Sequence, residues 1–169
     1  MGISLRERNL AKNTYAFIRG FRRKTLSEEK IMKYRKRLND PKTAEKELGF
    51  ALVLLDRETH YEKADLLGRA YRAFVDEKMT WEKFAELAEA INRMFMIDIT
   101  HLRRVAKSAS FQFEDPEEEV YGMQRLEGIG LISEKKPYAS NHTLFFDGGY
   151  IITSLGGLII YLLDEDNVK

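Results

Sequence analysis

The side chains best suited to do chemistry in this chain are cationic. Arg19, Arg22, Arg23 and Lys24 form one cluster, and Lys33, Arg35, Lys36 and Arg37 form a second. Such clusters suit nucleic-acid phosphates, an anionic membrane surface or an acidic protein. They suit equally a solvated helix face, or one lying against the acidic remainder of the chain. Tyr15, Phe17, Phe21 and Tyr34 lie among them and have rings that can stack on bases, but their helical spacing assigns them to a core. The acidic counterpart is the run Glu117, Glu118 and Glu119, preceded by Glu114 and Asp115.

Other constellations are weaker. His60, His101 and His142 lie far apart without a His-x-x-x-His spacing. Asp98 and His101 share a helical face at i, i+3, which alone does not make a metal site. Asp56, Glu58 and Glu62 could do acid–base work only beside a cleft and with shifted pKa values. Gly148-Gly149 and Gly156-Gly157 lack the spacing and Lys-Ser/Thr ending of a phosphate loop. Asp164-Glu165-Asp166 lacks the glycine and terminal glutamate of a calcium loop. No nucleophile–base pair, metal cluster or cofactor loop emerges, so a non-enzymatic protein without metal or cofactor is expected.

These side chains must be positioned mainly by helices. Leu10, Phe17, Ile18 and Phe21 share a face of a helix over residues 3–23. Thr25 and Glu28 have capping-box spacing and open a second helix to Leu38. Asp40-Pro41 is a helix start, with the proline at the first helical position. From there Leu48, Leu52 and Leu55, then Leu66, Leu67, Ala70, Tyr71 and Phe74, mark a helical span over 41–75, continuous or kinked near Thr59-His60. Thr80 caps a helix over 80–95 holding Trp81, Phe84, Leu87, Ala88 and Ile91, and another follows over 98–108. Residues 1–109 thus read as a helical region, with basic helices over 1–39.

After residue 109 the pattern changes, and seven of the 11 glycines lie beyond residue 121. Phe111-Gln-Phe113 alternates like a strand. Asp115-Pro116 starts a helix with Val120, Met123, Leu126 and Ile129 on its core side, and Gly128 suits its last turn. Leu131-Ile132, 143–146 and 150–153 read as strands, with Asp147-Gly148-Gly149 as the hairpin turn. Thr153 caps a final helix. The fold class is therefore mainly α, with a C-terminal α+β unit over 110–169.

Composition bounds the functions. The 169 residues are 44% hydrophobic and 33% charged and include no cysteine, which excludes a disulfide framework and fits a cytoplasmic location. No segment reads as a signal peptide or a membrane span. The net charge of +1 hides a strong asymmetry. Residues 1–46 hold 14 basic against 5 acidic side chains, and the rest hold 14 against 22. Either the halves attract each other, within one chain or between copies, or the basic half docks on something acidic.

The segment Arg125-Leu-Glu-x-Ile-Gly-Leu-Ile132 followed by Tyr150-Ile-Ile-Thr-x-Leu-Gly156 resembles the winged-helix superfamily. The resemblance implies that the helix before Gly130 is the recognition helix and that residues 133–149 hold the wing. That helix opens on carboxylates and offers only Arg125 as a cation, with Lys135 and Lys136 in the wing, so it makes a poor partner for phosphates. The layout as a whole resembles helical proteins of bacterial defence loci and prophages, such as the abortive-infection Abi-alpha group, which implies a role in phage–host conflict. The expected function is a protein-interaction module of this phage or prophage type, an adaptor or inhibitor. The alternative is a nucleic-acid-binding regulator that uses the basic helices, with the winged helix for dimerisation.

Overall fold

The computed structural model describes residues 4–107, 116–135, 138–140, 143–145 and 149–164. The protein is mainly helical, with a small antiparallel β element near its C-terminus. It divides into two compact units, Met1–Asn92 and Arg93–Lys169. The boundary falls before the helix over Met96–Lys107, rather than at residues 109/110, because that helix packs on the elements that follow it.

The N-terminal unit begins with α1 (Leu5–Phe21), capped by a reciprocal Ser4–Glu7 box that the sequence reading missed. Helix α2 (Glu28–Leu38) starts at Ser27 rather than Thr25, since the Ser27 hydroxyl accepts the Lys30 N–H at 3.4 Å. Asp40 caps α3 (Pro41–Ala44) as expected. Helix α3 runs through a π-helical turn, Glu45–Gly49, into α4 (Phe50–Arg57).

The span 41–75 is not one helix. Glu58 leaves helical geometry at ψ 138°, and α5 (Tyr61–Val75) follows. Side chains hold the break. The Asn13 amide donates to the carbonyls of Leu55 (3.0 Å) and Glu58 (2.7 Å), groups that the end of α4 leaves unpaired. The Glu58 carboxylate accepts the Thr59 and His60 N–H groups at 2.8 and 2.9 Å, next to the start of α5. Helix α6 (Trp81–Arg93) completes the unit, with Thr80 accepting the Lys83 N–H.

Two expected faces are rotated. In α1 the buried residues are Asn13, Ala16 and Gly20, while Ile18 is exposed. The reason is close backbone approach. A Cβ on Gly20 would lie 2.0 Å from the Asp65 carbonyl oxygen, and one on Gly68 would lie 2.0 Å from that of Phe17. Small residues therefore form the seam, and the larger Leu10 and Ile18 fall outside it. In the second helix span the buried face is Glu47, Ala51, Leu54, Leu55 and Glu58, while Leu48 and Leu52 point outward.

Helix α5 is the centre of this unit, and every residue from Lys63 to Val75 is buried. Its charges are tolerated because they are paired. Lys63 Nζ lies 2.8 Å from Glu58 Oε2, off the angle of a hydrogen bond, and donates to the Asn92 carbonyl at 2.9 Å. Asp65 receives Arg19 and Arg69 at 2.8 Å and Arg23 at 3.2 Å.

The C-terminal unit comprises α7 (Met96–Lys107), α8 (Pro116–Ile129) and α9 (Ser154–Asp164), with strands β1 (Ile132–Glu134), β2 (Tyr138–Ser140), β3 (Thr143–Phe145) and β4 (Tyr150–Ile152). Its core holds Leu102, Met123, Leu126, Leu131, Ile132, Ile159 and Leu162, whereas Val120 is exposed. Gly130, at φ 85°, ends α8, and the Leu131 N–H reaches back to the Leu126 carbonyl at 2.9 Å. Gly130 thus fills the left-handed position expected of Gly128. Thr153 caps α9, accepting the Gly156 N–H at 3.1 Å.

β1 pairs with β4 (Ile132↔Ile152, Glu134↔Tyr150), and β2 pairs with β3 (Tyr138↔Phe145, Ser140↔Thr143). Of the turn expected at Asp147-Gly148-Gly149, the first two residues lie outside the described residues, and Gly149 accepts the Lys135 N–H at 2.9 Å. The strand expected at residues 111–113 and the cap at Asp115 lie outside the described residues.

Candidate binding site

The second basic cluster lies on a helix, and helical spacing sorts its members. Lys30, Lys33 and Lys36 recur every three residues, with Arg37 beside them, and together they line one side of a groove of about 270 Å³ in the N-terminal unit. Arg35 is exposed and does not line it. The opposite side is the end of α5, contributing Phe74, Val75 and, just past the helix, Glu77.

The groove floor is aromatic. Tyr34 packs edge-on against Tyr71 (6.0 Å between ring centroids) and Phe74 (6.4 Å), and Phe74 stacks on Phe84 at 5.7 Å. The Arg37 guanidinium lies over Phe74 at 4.7 Å and Tyr34 at 5.1 Å, a cation–π arrangement that fixes it as a wall of the groove. The Tyr34 and Tyr71 hydroxyls are hydrogen-bonded to each other. Burial pushes the Tyr34 phenol up to about 12 against a smaller opposing effect of the Tyr71 hydroxyl, and burial followed by the Tyr34 bond pushes Tyr71 higher still. Both phenols are therefore neutral at physiological pH.

Most of the cations already have carboxylate partners. Arg37 donates to buried Glu47 at 3.0 Å, Lys30 to Asp76 at 2.7 Å, and Lys33 to Glu77. Lys36 has no ion-pair partner among the described residues. The first cluster behaves in the same way: Arg19 and Arg23 converge on Asp65, while Arg22 and Lys24 are exposed. Part of the asymmetry seen along the chain is thus met inside the N-terminal unit, where α1 and α2 reach carboxylates of the π-helical turn, α5 and the turn after α5. Of the rings considered for base stacking, Phe17, Phe21 and Tyr34 pack against Tyr71, and Tyr15 is 72% exposed.

Glu77 has an unusual backbone. It lies at φ 60°, a left-handed conformation that favours glycine, in a Schellman-type ending where the Lys78 N–H bonds the Ala73 carbonyl at 2.9 Å. A side chain is retained there despite the strain, and its carboxylate meets Lys33. Glu77→Gly is expected to raise the thermal midpoint by about 2–4 °C, measured by circular dichroism, since the relief of strain outweighs one exposed ion pair.

The acidic partners also set a pH dependence. The Lys30 ammonium holds the Asp76 carboxyl below its ordinary value of 3.8, against a smaller effect of burial, and Lys33 does the same for Glu77. Depressed carboxyl pKa values stabilise the folded state above the unfolded pKa, and that stabilisation is lost as pH falls through the folded value. Urea midpoints are therefore expected to fall below about pH 4, less steeply in Asp76→Asn.

Elsewhere the expected site residues are occupied or uninformative. Arg125, the one cation of the proposed recognition helix, is bound to fully buried Asp98 at 2.7 Å and lies over the Phe95 ring at 5.0 Å. Asp98 also accepts the Phe95 N–H at 2.9 Å, at the start of α7. Glu117, Glu118 and Glu119 fall in the first turn of α8, where the helix dipole favours carboxylates; their side chains lie outside the described residues. No group of three metal-ligating side chains converges among the described residues. None of the described helices is long and apolar enough to cross a membrane.

The partners Glu47, Asp76 and Glu77, and the wall residues Lys30, Phe74 and Val75, were not selected from sequence. The spacing of Lys30, Lys33 and Lys36 was the available signal for the cationic wall. Comparison with protein-family models, curated proteins and solved structures found no match to this chain.

Proposed function

We propose that this chain is a non-enzymatic protein-interaction module that acts by binding a protein partner. The observation that carries the reading is the internal pairing of the basic helices. Arg19, Arg23, Lys30, Lys33 and Arg37 each meet a carboxylate of the same unit. A nucleic-acid surface needs cations available to displace counterions along a phosphate row, and pairing withdraws them. What is left exposed is mixed, as protein interfaces are. Leu52, Val53 and Leu48 on the helical span 45–57 are 52%, 48% and 40% exposed, close in sequence to the charged groups described above.

The C-terminal unit supports the same reading. Its order of helix, strand, hairpin, strand and helix is the order that the winged-helix resemblance implies, and the pairing of Arg125 with Asp98 argues against groove reading by α8. A phage- or prophage-type adaptor or inhibitor is the finer form of the proposal.

The test is photo-crosslinking in the source cell, with p-benzoylphenylalanine replacing Leu52 or Tyr15. Covalent adducts with one defined protein are expected at one or both positions. Adducts with nucleic acid at these positions, or none at either, would overturn the reading.

A further inference from the structure

We propose that the groove between α2 and the end of α5 receives an acidic segment of the partner, one carboxylate on the lysine row and an adjacent apolar side chain on the aromatic floor. This rests on the protein-interaction reading above and names the chemistry of the partner.

Charge matching argues for it. Five cations line or flank the groove, Lys30, Lys33, Lys36, Arg37 and Lys78, against three carboxylates, Glu47, Asp76 and Glu77. Two positive charges remain in excess, because Lys36 is exposed and Lys78 shares Asp76 with Lys30. That suits an incoming carboxylate and is too little for a nucleic-acid backbone, whose binding grows with the number of phosphates neutralised. A groove of about 270 Å³ holds a side chain or two. Its floor of Phe74, Val75 and the Tyr34 ring would bury an apolar group.

Glu77 completes the device. The side chains of Lys33 and Glu77 are 70% and 52% exposed, so their ion pair exchanges partners at little cost. The Glu77 carboxylate occupies Lys33 in the free protein, and an incoming carboxylate takes its place. The better-shielded pairs Lys30–Asp76 and Arg37–Glu47 stay closed and hold the walls.

The experiment is fluorescence anisotropy on the full chain, using a labelled peptide with one phenylalanine between pairs of glutamates. The controls replace its glutamates by glutamine or its phenylalanine by alanine, and labelled DNA and RNA of similar length are run alongside. Binding with a Kd on the order of 10–100 µM is expected. The double variant Lys33→Glu with Lys36→Glu, both on exposed side chains, is expected to weaken it at least about tenfold. Glu77→Gly frees Lys33 and is expected to tighten it about two- to fivefold, an effect opposite in sign to that of the lysine variants. Each control peptide is expected to bind more weakly.

Absence of peptide binding, or binding indifferent to both variants, would overturn the groove assignment while leaving the crosslinking result to decide the broader reading. Binding of DNA or RNA in place of the peptide, abolished by the lysine variants, would overturn both.

Discussion

Gly20→Ala and Gly68→Ala are each expected to unfold the N-terminal unit at much lower urea concentration than the parent chain. The crossing of α1 and α5 leaves no space for a methyl group at either position. A Cβ on Gly20 would sit 2.0 Å from the Asp65 carbonyl oxygen and 2.8 Å from its carbon, and one on Gly68 would sit 2.0 Å from the Phe17 oxygen and 2.9 Å from the Phe21 nitrogen. The obstacles are backbone atoms, which cannot rotate away like a side-chain end. The helices must separate, and separation loosens the Phe17–Tyr71 contact and the Asn13 bonds that hold the α4–α5 break. Alanine gains roughly 1 kcal/mol in helix propensity, but overpacking on this scale outweighs it, for a net loss of about 3 kcal/mol or more. The one tryptophan, Trp81, packs 5.5 Å from Phe74 and 5.4 Å from Phe84, so its fluorescence reports this unit. Gly128→Ala is the control. Nothing lies within 4 Å of its added Cβ, and the Trp81 transition is expected to stay in place.

Asp65→Ala is expected to cost about 3–5 kcal/mol by the same urea titration, the range for breaking a buried ion pair from one side. Asp65 is the shared acceptor of three arginines and is 4% exposed at its side chain. Arg19 and Arg23, with 47% and 28% exposed side chains, can turn to water when it is removed. Arg69, at 8%, has far less freedom to do so and carries most of the penalty. Adding Arg69→Met to Asp65→Ala should therefore recover at least half of the lost stability, because an apolar replacement of a buried pair is often near neutral. A single-variant loss below about 1 kcal/mol would mean that Asp65 does not anchor the basic helix.

Local chemistry was legible in the sequence where it is self-contained. Asp40-Pro41, Thr80 and Thr153 mark helix starts because a cap needs only its own next few residues. The mainly helical class with a small β element followed from the change of pattern after residue 109. What could not be read depends on partners distant in sequence. The small-residue seam of α1 exists because Gly68 faces Phe17, so Ala16 and Gly20 outrank the larger Leu10 and Ile18. Glu47 sits on a buried face that hydrophobic patterning rejects for any carboxylate, and it is buried because Arg37 meets it. The apolar face of α5 was legible as Leu66, Leu67, Ala70, Tyr71 and Phe74, but Lys63, Asp65, Arg69 and Arg72 read as its solvent side and are buried too. In the candidate site the lysine row was visible as spacing, but the groove was not. Its far wall comes from Phe74 and Val75, about forty residues on, and nothing in the chain order pairs Lys33 with Glu77.

The central claim is that carboxylates of the same unit pair with the basic helices at Arg19, Arg23, Lys30, Lys33 and Arg37, and that the surface recognises protein and not nucleic acid. Anisotropy of labelled double- and single-stranded DNA and of RNA, titrated with the full chain across a salt series, tests it most directly. Affinity no tighter than about 10⁻⁴ M at physiological salt is expected for all of them. A Kd near or below about 10⁻⁶ M, falling steeply with salt and abolished by Arg22→Glu with Lys36→Glu, would contradict it.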